Sequence, residues 1–152
     1  MNFRPYKFNS RIFFYVSGSC LLLLSGMFLL SGIVGLLYGE RESVYFAYAF
    51  AIVALIGGLV AYGNRNFHTN ISKKDGRLIV GLMWILIPLF GALPYAFDAK
   101  DFTLTDAIFE SYSGYTTTGA SVLDDVESVS KAVLFYRSFT QWIGGLGFAI
   151  LV

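Results

Sequence analysis

Residues 103–121 read TLTDAIFESYSGYTTTGAS, and this stretch decides the fold. Thr103 can cap a helix with its hydroxyl, and Asp106 stands three residues on, where a capping box places an acid. Ala107, Ile108 and Phe109 follow, and Gly114 is a stop signal. The spacing predicts a helix over 103–114, roughly 18 Å long at about 1.5 Å per residue. That is about half the hydrocarbon thickness of a bilayer. The flanking segments, 78–95 and 132–152, are long and apolar. A half-length helix between two spans is expected to dip into the membrane and return. Irregular backbone survives at that depth only where protein or a water-filled cavity surrounds it. In an arbitrary chain, TTTG reads as a surface turn; its placement here favours the re-entrant reading.

The chemistry of the dip follows from its ends. A helix entering from one face aims its C-terminus, with roughly half a negative charge, at the membrane centre, where a cation is favoured. Residues 115–121 can return in an extended form with carbonyl oxygens directed to one side, and Gly119 supplies permissive backbone. Rings of such carbonyls replace the water shell of a dehydrating potassium ion.

Composition agrees with a membrane setting. Of 152 residues, 56% are hydrophobic and 14% charged, whereas soluble domains carry about a quarter charged residues. A net charge of +1 without a basic patch gives no indication of nucleic acid. The single cysteine, Cys20, excludes an internal disulfide and any cysteine-based metal cluster, and reads as a packing residue. The first apolar run follows Arg4, Lys7 and Arg11. It is too long for a signal core and lacks a cleavage site, so it reads as a retained span.

In chain order, 12–38 is the first span, with Ser31 and Gly35 at i, i+4 to let another helix approach closely. A polar turn (39–43) and a second span (44–62) complete an N-terminal transmembrane hairpin over 1–64. Residues 65–76 form a cytoplasmic loop in which His68 reads as solvated. The remainder, 77–152, is one pore repeat: span 77–95 carrying Pro88, which should kink it, pore helix 103–114, filter 115–121 and span 132–152. The expected fold is therefore an all-α membrane protein, a two-helix hairpin followed by one helix–pore helix–filter–helix unit. The chain is expected to be a truncated N-terminal portion, ending inside its last span.

Orientation comes from lysine and arginine. Seven of the eleven basic residues (Arg4, Lys7, Arg11, Arg65, Lys73, Lys74, Arg77) lie at the N-terminus or in the second loop. The positive-inside rule makes both cytoplasmic. The third span then exits outward and the short helix enters from outside. Nine of the ten acids, all but Asp75, fall on that outer side or in the pore segment, where they would concentrate cations.

The run DAIFESYSGYTTTGAS, followed by FYRSFTQWIGGLGFAIL, resembles the first pore repeat of the Trk/Ktr/HKT superfamily of potassium transporters, and TrkH-type subunits most closely. The resemblance covers nearly the whole chain, including LIVGLMWILIPLFGALPYAF. It implies potassium uptake across the cytoplasmic membrane through a carbonyl-lined filter, with potassium as the ion carried and no enzymatic chemistry. The filter core falls on Thr117, Thr118 and Gly119, with Thr116 below and Ala120 and Ser121 above. The carbonyls of Thr117 and Thr118 are the expected potassium contacts, and Gly119 is the selective glycine. Ala120 departs from the potassium-channel TVGYG pattern, which has tyrosine there, so weaker selectivity is expected. Implied partners are membrane lipid, further pore repeats to complete the pore, a TrkA-type cytoplasmic nucleotide-binding subunit, and a second copy in a homodimer.

Glu110 lies one turn after Asp106; the two could hold the filter or attract cations, or Asp106 could simply cap the helix and Glu110 contact a partner repeat. Arg137 lies in the last span, where an arginine normally faces the protein interior with a partner; it could snorkel outward or pair with Glu110 or Asp124, and pairing with a carboxylate near the pore helix is expected. Gly144, Gly145 and Gly147 read as close helix packing. The rivals are a small homotetrameric cation channel, a membrane-anchoring fragment, and a membrane enzyme using Asp106, Glu110 and His68. Orientation disfavours the last, since it puts His68 opposite both acids.

Overall fold

A computed structural model describes residues 9–66, 72–98 and 102–151. Arg4, Lys7 and His68, used above for orientation or weighed as a ligand, lie outside these residues. The described chain is helical: α1 (Ser10–Leu37), α2 (Ser43–Gly63), α3 (Lys73–Gly91), α4 (Leu93–Phe97), α5 (Leu104–Tyr115) and α6 (Lys131–Leu151), with one 3-10 turn at Val126–Ser128. Three helices are long and apolar enough to cross a membrane, Ser10–Leu37, Ser43–Gly63 and Lys74–Phe97. The chain is a multi-pass membrane protein. Helix α6 has the length of a span, about 31 Å, but carries Lys131 and Arg137 and is not among those three.

Local signals explain most boundaries. Helix α1 closes through Gly39 in the left-handed region (φ 71°). The Glu40 amide donates to Gly35 O (2.9 Å) and the Gly39 amide to Leu36 O (3.1 Å), which is a Schellman closure. Helix α3 starts four residues before the position the sequence suggested. Ser72 and Asp75 form a reciprocal capping box, so 73–76 are the first turn of a helix and not the end of a loop. The helix runs through Pro88 and breaks at Ala92, where α4 restarts with Pro94 in its first turn.

Helices α1 and α2 pack along a seam of absent side chains. A Cβ on Gly18 would lie 2.5 Å from Ala61 N and 2.7 Å from Gly57 O, and one on Gly57 would lie 2.9 Å from Gly18 O. Lipid tails are as apolar as leucine, so close van der Waals contact, not burial from water, drives such association. Tyr136 of α6 is fully buried at the centre of the core. Its ring centroid lies 5.4 Å from Phe28, 5.5 Å from Phe46 and 5.4 Å from Tyr95, joining α1, α2, α4 and α6. Its hydroxyl donates to Gly91 O at 2.8 Å. Cys20 lines an apolar cavity of about 330 Å³ between α1, α3 and α6.

Replacing Gly18 by Val should force α1 and α2 apart at a cost of about 1–3 kcal/mol, the usual scale of overpacking. Thermal denaturation in detergent measures it. Gly58→Ala, at a helical position with nothing within 4 Å, should leave the midpoint unchanged or raise it.

Candidate functional site

The short helix α5 is separate from both neighbours and has 12 residues. Its start is the capping box foreseen from sequence: the Asp106 amide donates to Thr103 Oγ1 (3.3 Å), while the Thr103 amide (3.0 Å) and hydroxyl (2.6 Å) donate to Asp106 Oδ2. These bonds favour the charged carboxylate and hold the Asp106 pKa below its ordinary value. A lowered pKa gives stability that is present above the usual carboxylate range and is lost as pH falls through the lowered value.

The end of α5 differs from expectation. Gly114 does not stop the helix, which continues to Tyr115. Gly114 is instead a contact point, since a Cβ there would collide with Thr140 Oγ1 of α6. The stop lies at Thr117, a β-branched residue in the left-handed region (φ 56°). The Thr117 amide donates to Gly114 O and the Thr118 amide to Ser113 O, both at 3.0 Å. This is the same Schellman closure as at Gly39, built on a residue that reaches the left-handed basin only at a cost. Gly119 is left-handed as well (φ 75°), and its amide also reaches Ser113 O (3.4 Å).

These amides orient the carbonyls. In a planar trans peptide the N–H and the preceding C=O point in opposite directions. With the amides of Thr117, Thr118 and Gly119 turned onto the end of α5, the carbonyls of Thr116, Thr117 and Thr118 face away from it. Among the described residues, no hydrogen bond reaches the carbonyl of Thr117 or Thr118. Residues 116–120 are all exposed. At Ala120 the direction reverses, because its carbonyl accepts the Ser113 hydroxyl at 2.5 Å.

Glu110 braces the return. One carboxylate oxygen accepts the Ser121 hydroxyl (2.5 Å) and the Val122 amide (2.8 Å). The other is ion-paired with Arg137 of α6. Both side chains are buried, with Glu110 1% and Arg137 9% exposed. Of the two acids that sequence offered Arg137, Glu110 is the partner. Asp106 faces the other way, into its cap.

Helix α5 is held on two further sides. The Ser111 hydroxyl donates to Pro88 O (2.6 Å) and Tyr112 OH to Ile85 O (2.8 Å), both in the turn of α3 that proline loosens. On the other flank, a Cβ on Gly144 would collide with the Tyr115 carbonyl, so α6 touches the last turn of α5 directly. The sequence marked the glycine cluster of α6 but not which glycine mattered or against what. Ser113 and Ser111 carried no signal at all, being two serines in a polar run.

A family model described as TrkH, cation transport protein, matches residues 42–152. The chain belongs to the TrkH family. It is 39% identical over 137 residues to the Trk system potassium uptake protein TrkH of Salmonella typhimurium, covering 90% of this chain and 28% of that protein. It is 37% identical over 142 residues to the potassium uptake protein TrkG of Escherichia coli K12, covering 93% and 29%. The crystal structure of the potassium transporter TrkH from Vibrio parahaemolyticus superposes with a TM-score of 0.88 at 37% identity, covering 94% of this chain and 31% of that one. The chain thus spans less than a third of the length of these TrkH-family relatives.

Arg137→Gln should strand a buried carboxylate and cost about 3–5 kcal/mol. Glu110→Gln combined with Arg137→Gln should cost less than the sum of the two single changes. A double-mutant cycle by thermal denaturation in detergent measures the coupling.

Proposed function

We propose that the chain forms one wall of a potassium pathway in the inner membrane. Helices α1 and α2 are the accessory hairpin. Helix α3, the pore helix α5, the filter and helix α6 are one pore repeat. Thr116, Thr117, Thr118, Gly119 and Ala120 line the filter, and the Thr117 and Thr118 carbonyls take the place of water on a dehydrating potassium ion. Glu110 and Arg137 hold the filter in place. Ions move down their electrochemical gradient, and no covalent step is involved.

The observation that carries this reading is the orientation of the carbonyls at Thr117 and Thr118. They face away from α5 with no hydrogen-bond partner among the described residues, on a return braced from behind by Ser113 and Glu110. A surface turn has no need of a buried ion pair beneath it. Potassium is the proposed ion because the relatives named above are potassium uptake proteins. Further pore segments complete the ring, a TrkA-type nucleotide-binding subunit gates it, and the assembly dimerises. The N-terminus lies in the cytoplasm and the filter mouth opens outside, as lysine and arginine placement argues.

Gly119→Ser tests the filter. A left-handed φ costs a residue with a Cβ about 1–2 kcal/mol, so the carbonyl field should distort. Potassium-over-sodium preference in the complete transporter, measured by ion uptake into cells lacking other potassium systems, should fall by roughly tenfold. An unchanged preference rejects the filter assignment.

A further inference from the structure

We infer that Glu40, in the turn between α1 and α2, is a positioning residue for the filter, acting through α6. This inference rests on the filter reading above. Its own observation is a cap supplied from far away in sequence. The first amides of a helix have no partner inside it and need acceptors. At α6 the Ser130 carbonyl takes the Leu134 amide (2.9 Å) and the Ser130 hydroxyl takes the Val133 amide (3.3 Å). The Lys131 and Ala132 amides go to Glu40, one to each carboxylate oxygen, at 2.7 and 3.1 Å. A carboxylate there also meets the positive end of the helix dipole.

The seat is shaped as well as charged. A Cβ on Gly35 would stand 2.9 Å from the Ala132 Cβ and 3.1 Å from the Ser43 Cβ. The end of α1, the start of α2 and the start of α6 therefore meet at one point, with the Gly39 turn holding Glu40 over it. Arg137 stands six residues along α6, about 9 Å of rise. It grips Glu110, which in turn grips Ser121 and Val122. The contacts are continuous from the hairpin to the filter return. Glu40 sets where α6 begins and, through it, where the guanidinium meets Glu110.

Glu42, in the same turn, makes no side-chain cap bond to its own helix and serves as the charge control. In the complete transporter, Glu40→Ala should speed hydrogen exchange at the first amides of α6 by about tenfold, the scale of a lost cap. It should also lower potassium-over-sodium preference severalfold. Glu40→Gln, which keeps one acceptor oxygen, should fall between, and carries the test if the alanine variant does not fold. Glu42→Gln should change neither. Unchanged exchange, or faster exchange with unchanged preference while Gly119→Ser does alter it, overturns the coupling and leaves the filter reading standing. Unchanged preference in both variants overturns both. An equal loss of preference in Glu42→Gln assigns the effect to outer charge and also overturns it.

Discussion

The buried pair of Glu110 and Arg137 is the constraint on which the rest of this structure depends. Taking two charges out of water is costly, and their attraction repays that only when the remaining lone pairs are also matched. Here they are: one oxygen of Glu110 meets the guanidinium, and the other takes a hydroxyl and an amide from the returning chain. The carboxylate thus fixes three things relative to each other, the short helix, the return and α6. Such a pair contributes less to net stability than to choosing one arrangement among several.

The remaining contacts are of the kind a bilayer interior demands. Hydroxyls of Ser111 and Tyr112 reach the Pro88 and Ile85 carbonyls of α3, so two backbone acceptors of one helix dock another. Gly114 and Gly144 allow α5 and α6 to touch along their backbones. Small residues and hydrogen bonds between helices do the work that burial from water does elsewhere.

Much of this was legible because it is written in local chemistry. The apolar runs set α1, α2 and α3 to within a few residues. Thr103 with Asp106 announced the start of α5, and Gly39 announced the turn after α1. The site's far end was harder for a physical reason. Two helices end in identical bonds, one at Gly39 and one at Thr117, yet only glycine signals a left-handed residue in a sequence. Threonine there is held by its surroundings, as strained residues at functional sites commonly are, and its neighbours in sequence do not reveal it. Likewise Gly114 read as a terminator because glycine usually is one, when its role is to make room for Thr140. The choice of Glu110 over Asp124 for Arg137 was open in the sequence and settled only by three-dimensional placement.

The acceptor for α6 lies 91 residues upstream of the amide it receives. Chains are made from the N-terminus, so the turn bearing Glu40 is synthesised well before Lys131. When α6 leaves the ribosome, the cradle for its first turn has already been translated. The early hairpin thus carries the acceptor for α6 before α6 itself is synthesised.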